Sequence, residues 1–427
     1  MTEVSVQAGY QQVSIAQIAL KAGVSSATFY EQFTDKEDCL IAAYWAAFER
    51  LAAPMKLSSG EGGWEQMARA ATGSILDSLH ENADAARLTL VESRAGGARM
   101  RESRAGALED FERRLEDELL SAGRSGRTLD LPAANLMGGI RNIAVWRLRN
   151  HAEDELPLLL DDLVTWMGSY AVPKSRTRWS VSPAARLADT PGLIPPAVAA
   201  PARLPRGRHG LPAGVVARSQ RTRIIYGTAE VMSTKGFASA TVADIVAAAG
   251  VSRDVFYEHF SDKLDAFLEA QRFSTQEVLD AGAAAFFSAR DWPTRVWLGL
   301  QTLLRLMAAY PALSHLRLVE CYAAGPSALS RAEEFTKSFS VFLEEGYGYR
   351  PESAAMPRVC SQAITGAVFE IIYRRIARGE AAQLPRELPL LTFVAIAPFT
   401  GVPSAIRAVE KLTKSWEAEN GSGEAAA

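Results

Sequence analysis

The chain has 427 residues, of which 48% are hydrophobic, and a formal net charge of −3 at pH 7. This length allows two or more domains with substantial cores, and the small net charge excludes a global basic field that would attract nucleic acid. Three scattered cysteines, Cys39, Cys321 and Cys360, lack metal-site spacing, which predicts reduced core residues in a cytoplasmic protein. The N-terminus lacks the basic start and apolar run of a signal peptide. The most apolar stretch, residues 388–402, is too short and too interrupted by proline to span a bilayer.

Catalytic motifs are absent from the sequence. It contains no GxSxG, P-loop, HExxH or Rossmann glycine pattern. Its histidines are isolated from one another, at His80, His151, His209, His259 and His315. We therefore expect a protein that is not an enzyme and that holds no metal or cofactor.

A stretch of about fifteen residues occurs twice, at residues 22–36 and 249–263, with a constant offset of 227. When residues 14–33 are set against residues 241–260, ten of the twenty positions are identical. Copies so far apart indicate a duplicated domain rather than a short solenoid repeat.

Each copy begins with a hydroxyl residue followed three positions later by an acceptor, a pattern typical of a capping box at the start of a helix. A glycine then ends this helix, because a tight turn between helices often needs positive φ, and a serine caps a second helix. Two phenylalanines four residues apart face inward, so the other side chains face out. The residues in these roles are Ser14, Gln17, Gly23, Ser25, Phe29 and Phe33, and in the second copy Thr241, Asp244, Gly250, Ser252, Phe256 and Phe260. This pattern predicts a helix-turn-helix.

At these residues the chain resembles the TetR family of bacterial transcriptional regulators. The family signature is an alanine-glycine-valine-serine turn, an aromatic-tyrosine pair, a phenylalanine and an aspartate-lysine, and both copies contain all of it. The resemblance implies an all-α fold, in which a small DNA-binding domain precedes a larger helical ligand and dimerisation domain.

The duplication extends beyond the helix-turn-helix. Residues 88–92 match residues 316–320, and the segment 139–147 resembles 366–374 at its glycine and its aromatic-arginine pair. We therefore predict two fused TetR-like units joined by a linker rich in proline and arginine. The predicted parts are a truncated helix-turn-helix domain at 1–50, a helical ligand/dimerisation domain at 51–172, a flexible linker at 173–217, a second helix-turn-helix domain at 218–272, a second helical domain at 273–416 and a disordered tail at 417–427.

The first copy lacks most of the helix that precedes the helix-turn-helix. In the second copy a predicted helix at 221–235 leads into Gly236, whereas the equivalent glycine of the first copy is already Gly9. Either the assigned start of the protein lies too far downstream, or this half has lost one wall of its core.

The predicted linker has a distinct composition. Residues 173–217 contain eight prolines, seven lysines or arginines and a single acidic residue, Asp189. Such a segment is expected to be disordered or extended. Its basic residues either touch DNA phosphates nonspecifically or make the tether soluble. At a reach on the order of 150 Å when extended, the linker hardly restrains the two halves.

Arg253 is the most informative candidate for base recognition. It follows the cap Ser252, at a position where family members commonly meet DNA, and arginine can form two hydrogen bonds with a guanine edge; its counterpart in the first copy is Ser26. The resemblance implies phosphate contacts for one tyrosine and one lysine in each copy. The full set of candidate DNA-binding residues is Ser25, Ser26, Ala27, Thr28, Tyr30 and Lys36, and then Thr241, Ser252, Arg253, Asp254, Val255, Tyr257, His259 and Lys263. For each of them an ordinary solvated side chain is the alternative.

Charge distinguishes the two copies. Residues 1–50 contain three lysines or arginines against six acidic residues, whereas residues 218–272 contain seven of each. Because phosphate attraction dominates affinity for DNA, we expect the second helix-turn-helix to bind better, and the first could be vestigial.

The ligand domains contain charged residues in apolar runs, namely Glu92, Glu320, Arg141 and His315. A buried charge needs a partner, so such residues either line an effector pocket or form structural ion pairs; the sequence does not assign the effector site. The resemblance implies double-stranded DNA and an unknown small-molecule effector as partners, and either a homodimer or an internal pseudo-dimer. We expect a repressor that releases DNA when its effector binds, or else a ligand-sensing or scaffolding pseudo-dimer whose first helix-turn-helix no longer binds DNA.

Overall fold

A computed structural model describes residues 1–54, 64–122, 127–129, 131–173, 201–202 and 211–421. Nearly all of these residues are helical, which confirms the predicted all-α class. The described part contains two short strands, β1 at Arg127–Leu129 and β2 at Ala171–Pro173, which pair antiparallel with Thr128 opposite Val172. The basic residues of the predicted linker, from Lys174 to Arg208, lie outside the described residues. Within the described ranges, every helix is too short or too polar to cross a membrane.

The first half of the chain forms nine α-helices in the described residues, joined by short 3-10 segments. They are α1 Thr2–Ala8, α2 Ile15–Ala22, α3 Ser26–Gln32, α4 Lys36–Ala52, α5 Trp64–Glu81, α6 Ala83–Leu90, α7 Ala98–Ala122, α8 Ala133–Arg149 and α9 Leu160–Gly168. The 3-10 segments are Tyr10–Gln12, Glu92–Ala95, Glu153–Glu155 and Pro157–Leu159.

The second half repeats this order. Its described α-helices are α10 Ala213–Ser239, α11 Val242–Ala249, α12 Arg253–His259, α13 Lys263–Phe286, α14 Trp292–Ala309, α15 Pro311–His315, α16 Cys321–Ala324, α17 Pro326–Ser338, α18 Val359–Ala377, α19 Leu388–Thr400 and α20 Val402–Gly421. A π-helical segment covers Leu316–Glu320, and 3-10 segments cover Phe339–Gly348, Pro351–Ala355 and Ala381–Glu387.

The chain divides into two compact units whose limits differ from the limits of the two sequence copies. The first unit contains Met1–Asp189, Thr336–Ile371 and Pro389–Ala427, and the second contains Thr190–Phe335 and Ile372–Leu388. The first unit therefore includes helices from both halves of the sequence. The five boundaries between the six predicted parts stay a prediction.

Two ends of predicted segments differ from the structure. Helix α10 begins at Ala213, inside the stretch predicted as linker. Helix α20 continues to Gly421, so the first residues of the predicted tail are helical. The physical reason is that Trp416 is buried, with 5% exposure, which ties the last turns of the helix to the core.

The first copy retains a short leading helix. Helix α1 has seven residues, against 27 in α10. Met1 and Val4 pack on a core cluster that includes Phe29. An ion pair of 2.9 Å joins Glu3 to Lys21 on α2. These contacts close the side of the small core that the longer helix covers in the second copy.

Inside the first unit, α8 from the first half and α18 from the second half cross at very short range. A Cβ atom built on Gly366 would lie 2.4 Å from Cβ of Asn142, and one on Gly139 would lie 2.7 Å from the carbonyl oxygen of Ala363. Only glycine lets two helix backbones approach so closely, because any larger side chain would overlap the opposite helix. Gly139 and Gly366 occupy equivalent positions of the two copies, 227 residues apart.

We expect Gly366→Ala to destabilise the protein. Alanine normally stabilises a helix interior by about 0.5–1 kcal/mol relative to glycine, but here its methyl group would overlap Asn142, and overpacking typically costs about 1–3 kcal/mol. The measurement is chemical denaturation of the whole chain. Gly106→Ala on α7, where an added Cβ has no heavy atom within 4 Å, is the control and should be neutral or stabilising. Equal stabilities of the two variants would contradict the close crossing.

Candidate DNA-binding surfaces and effector pocket

The helix-turn-helix of each copy forms as the local sequence predicts. Both capping boxes are present: the hydroxyls of Ser14 and Thr241 accept the backbone amides of the residues three positions on, and the side-chain oxygens of those residues accept the backbone amides of Ser14 and Thr241. The glycines that end these helices are left-handed, with φ of 69° at Gly23 and 60° at Gly250. The two helices thus meet at a fixed angle, as a DNA-reading helix requires.

The second helix of each pair presents one face to the core and one to solvent. Phe29 of α3 and Phe256 of α12 are buried with exposures of 4% and 0%. Ser25 Oγ accepts the amide of Thr28 at 3.0 Å, and Ser252 Oγ accepts the amide of Val255 at 3.2 Å. The outward candidates are exposed or half-buried: Ser26, Ala27, Thr28 and Tyr30 on α3, and Arg253, Asp254, Val255 and Tyr257 on α12.

The outer faces of the two helices differ in chemistry. The Arg253 guanidinium is exposed, with its Cζ 5.8 Å from the ring centroid of Tyr257, so it projects from the first turn of α12. At the equivalent place α3 has the hydroxyl of Ser26. The second copy therefore offers a cation with two parallel donors, and the first offers a single neutral group.

The lysine present at the same position of both copies contacts its own domain, whereas the resemblance implies a phosphate contact. Lys36 Nζ donates to the carbonyls of Tyr10 and Val13 at 3.1 and 3.0 Å. Lys263 Nζ contacts the carbonyls of Phe237, Ala238 and Ala240 at 2.9, 3.4 and 3.1 Å. Burial lowers the pKa of both ammonium groups. Each lysine therefore fastens the loop before the helix-turn-helix to the helix after it, because its donors point at carbonyls of its own domain.

His259 and Thr241 also have roles within the domain. The side chain of His259 is half-buried, and burial lowers its imidazole pKa, so it is mainly neutral at pH 7. Its carbonyl accepts from Arg221 at 3.5 Å. Thr241 is occupied by its capping box with Asp244. Both residues stay predictions as DNA contacts.

The cluster of arginines at the leading end of the second copy is partly structural. Arg223 is buried and donates to the carbonyls of Ala249 and Gly250 at the end of α11. Arg221 pairs with Glu269 at 3.0 Å. Arg218 remains exposed. The basic charge available to phosphate is therefore smaller than the number of arginines in this segment indicates.

Glu92 and Glu320, which the sequence associates with a pocket or an ion pair, bind backbone amides instead. Glu92 Oε2 accepts the amide of Tyr10 at 2.7 Å, and Glu320 Oε2 accepts the amide of Phe237 at 2.8 Å. Each accepting carboxylate belongs to a ligand domain, and each donating amide belongs to the loop that opens the helix-turn-helix. The same contact thus joins the two parts of a regulator in both copies. Burial raises the pKa of Glu92.

A cavity opens within the helices of the first ligand domain. The empty space within it, including solvent at its open mouth, is about 570 Å³. Its apolar lining consists of Tyr44, Phe48, Leu51, Ala52, Ile75, Leu79, Leu90, Leu108, Phe111, Met137 and Ile140. The polar lining residues are Thr89 and Arg141. The Thr89 hydroxyl donates to Ala85 of its own helix at 2.9 Å, which leaves a wall that suits an apolar molecule.

Arg141 joins this cavity to a buried ion network. Its Nη1 donates to Glu112 Oε1 at 2.7 Å and its Nη2 to Glu370 Oε1 at 3.0 Å. Arg94 lies 3.7 Å from the second carboxylate oxygen of Glu370. All of the side chains named here are largely buried, so the positive charges of the arginines and the negative charges of the glutamates compensate one another in the absence of water.

Sequence reasoning missed the lysine and glutamate contacts, although a signal for them was present. Lys36 and Lys263 are identical at the repeat offset of 227, and Glu92 and Glu320 are identical at an offset of 228. A charged residue present at the same place in both copies indicates a contact present in both copies. The repeat alone does not reveal that the partner is a backbone group.

Two capped helix pairs, each with a buried aromatic face and an exposed outer face, define a protein that reads DNA with helix-turn-helix domains. The sequence profile of the family described as "Bacterial regulatory proteins, tetR family" matches residues 2–43 and 224–270. The chain therefore contains the DNA-binding domain of the TetR family of transcriptional regulators twice.

Parts of the chain are similar to one further relative and to solved structures. The HTH-type transcriptional activator FasR of Mycolicibacterium smegmatis is 25% identical over 155 residues, which cover 36% of this chain and 59% of FasR, less than two thirds of that protein's length. The fatty acid degradation regulator FadR of Bacillus halodurans aligns with 42% of this chain and 94% of its own, at 16% identity and a TM-score of 0.35. A TetR family regulator from Marinobacter aquaeolei VT8 aligns with 40% of this chain and 95% of its own, at 19% identity and a TM-score of 0.30.

We expect Lys263→Met to lower stability rather than to weaken phosphate binding. The variant leaves three carbonyls without their donor, and an unsatisfied group that is partly buried costs about 1–3 kcal/mol. The slope of DNA affinity against salt should stay unchanged, because the ammonium faces the protein. Lys235→Met removes a pair with Asp244 at a half-exposed surface and serves as a control that should cost little. A slope reduced by about one charge, with stability intact, would restore the phosphate contact.

We expect Glu92→Ala to expose the amide of Tyr10 and Glu92→Gln to keep it bound, since glutamine retains an acceptor oxygen. The loss for alanine should be about 1–3 kcal/mol, with faster hydrogen exchange at the Tyr10 amide.

The pH dependence supplies a second measurement on the same variants. Because the pKa of Glu92 is raised in the folded protein, the folded state binds the extra proton, and the contribution of this group to stability falls as pH rises from the ordinary glutamate pKa through the raised one. Glu92→Gln should flatten the stability curve in this window. An unchanged curve, with unchanged exchange at Tyr10 in Glu92→Ala, would contradict the contact.

Proposed function

We propose that the chain is a ligand-responsive transcriptional repressor whose two halves pair within one molecule as a pseudo-dimer. The observation that carries this proposal is the presence of two helix-turn-helix domains in a chain whose first compact unit contains α8 from one half and α18 from the other. Pairing of C-terminal helices is the usual way in which two such readers are held together.

In this proposal α3 and α12 enter successive major grooves of double-stranded DNA. Arg253 reads a guanine edge, while Ser26, Ala27 and Thr28 read a different half-site through smaller groups. The caps Ser25 and Ser252, together with Tyr30 and Tyr257, lie at the edges of these faces and contact the backbone. Because the two faces differ in donors and acceptors, the operator should have two unlike half-sites.

The apolar cavity supports a role for a small molecule. Helix α4 begins at Lys36 in the first reader and ends beside the cavity, where Tyr44, Phe48 and Leu51 form part of the lining. A ligand that fills the cavity displaces α4, and with it the loop that Lys36 holds. The spacing of the two readers then changes, and the DNA-bound state loses population. The preferred ligand is largely apolar, as the lining indicates.

A second candidate function is a ligand-sensing pseudo-dimer in which only the second reader binds DNA. The acidic composition of residues 1–50 favours it. The direction of regulation has an alternative as well, since the M. smegmatis relative bears the name of an activator. Transcription from a promoter that carries the selected operator decides between repression and activation.

We expect Arg253→Ala to harm DNA binding more than Ser26→Ala. Losing a bidentate arginine contact costs about 1–3 kcal/mol of discrimination at one base pair, whereas a neutral hydroxyl contributes about 0.5–1.5 kcal/mol. The measurement selects operators from random duplex DNA with the wild-type chain and then titrates each variant against the selected and scrambled sequences.

Arg358→Ala is the control for loss of one positive charge, because Arg358 is exposed, pairs with Glu344 at 3.0 Å and lies outside both helix-turn-helix segments of the sequence. If the footprint on DNA covers a single half-site and Ser26→Ala does not change it, the second candidate function is favoured. Failure of the wild-type chain to enrich any sequence would refute both forms of the DNA-binding proposal.

A further inference from the structure

The helix crossing in the first unit contains a charged pair that joins the two halves. Arg141 of α8 is 3% exposed and Glu370 of α18 is 7% exposed. Their side chains meet at 3.0 Å, close to the glycines at which the two backbones touch. A Cβ atom on Gly138 would lie 2.8 Å from Cβ of Glu370, so Glu370 itself is part of the tight contact.

The repeat shows that this pair is asymmetric. At the offset of 227, Arg141 corresponds to Val368, and Glu370 corresponds to Ile143. The surrounding glycine is shared, since Gly139 corresponds to Gly366. One half thus contributes the cation and the other half the anion, while the matching position in each half is apolar.

We propose that the Arg141–Glu370 pair makes the two halves pair with each other and disfavours pairing of like halves. The surface of α8 therefore binds helix α18 of a second half. It disfavours helix α8 of another first half. This pairing rule rests on the internal pairing in the proposed function, and it adds the chemical reason for which helix is accepted.

Like pairs would break the bond between Arg141 and Glu370 at this crossing. Two second halves would set the Glu370 carboxylate against Val368, and two first halves would set the Arg141 guanidinium against Ile143. A buried charge facing an apolar group is strongly unfavourable, whereas the unlike pair satisfies both charges. One polar pair in an otherwise apolar helix contact is a known means of selecting a partner.

The contribution of Glu112 does not remove this preference. Glu112 binds the other guanidinium nitrogen of Arg141 at 2.7 Å and belongs to the same half as Arg141, so it would accompany Arg141 into either kind of pair. Glu370 is the member of the network that comes from the other half, and its second neighbour, Arg94 at 3.7 Å, belongs to the same half as Arg141. The choice of partner therefore depends on Glu370.

The test uses the full chain with charges reversed one at a time. Arg141→Glu places a third carboxylate beside Glu112 and Glu370. Glu370→Arg places a third guanidinium group beside Arg141 and Arg94. When the two variants are co-expressed with different tags, an exchanged dimer restores opposite charges at both crossings. We expect the two chains to co-purify at twice the 46.2 kDa chain mass in native mass spectrometry, roughly tenfold or more above the control, because like charges at a contact cost several kcal/mol.

The control co-expresses Arg358→Glu with Glu344→Arg, an exposed pair in the same compact unit, which should yield single chains. Co-expression also covers the case in which a variant alone is insoluble, since rescue by the complementary chain is itself the expected result. Absence of co-purification, or co-purification equal to that of the control, overturns the pairing rule. A wild-type chain that already has twice the chain mass overturns internal pairing itself, whereas DNA selection by that chain would still uphold the DNA-binding function.

Discussion

The residue after a positive-φ glycine is held from both sides in each half of this protein, and the placement of each DNA reader depends on that contact. Tyr10 and Phe237 follow Gly9 and Gly236, whose φ angles are 79° and 76°. Each offers its amide to a glutamate of the ligand domain and its carbonyl to a lysine at the start of the next helix. Backbone amides and carbonyls that are partly buried need hydrogen-bond partners. The ligand domain and the helix-turn-helix are therefore joined through the backbone of one residue. Any movement of the glutamate carboxylate therefore acts directly on the backbone of the helix-turn-helix domain.

A single charged residue also makes several contacts in the first unit. Arg141 lines the apolar cavity and also binds one carboxylate from its own half and another from the C-terminal part of the chain. A ligand that changes the position of α8 therefore acts on a helix that also forms the crossing at Gly139. Buried ion pairs contribute little net stability, but breaking one partner is costly. Their value in this protein lies in fixing which helices meet.

The local structure of the readers could be predicted from the sequence, whereas the contacts between segments could not. Capping boxes, glycine turns and the inward phenylalanines involve residues within a few positions of one another, and the structure confirms the first helix-turn-helix at Ser14, Gly23 and Phe29. The roles of Lys36 and Glu92 depend on backbone groups 23 to 82 residues away. Side-chain type shows that a buried charge needs a partner, but it does not identify a carbonyl or an amide as that partner. The DNA-contacting residues and the domain boundaries stay predictions.

The meeting of α8 with α18 also has a consequence for synthesis on the ribosome. The bond from Arg141 to Glu370 spans 229 residues of sequence. At a bacterial elongation rate of about 5–20 residues per second, the first half waits roughly 10–50 s before its partner helix exists. During this interval the glycine-lined face of α8 lacks its native cover, and Arg141 lacks the Glu370 carboxylate. The nascent first half therefore exposes a helix face that the finished protein buries.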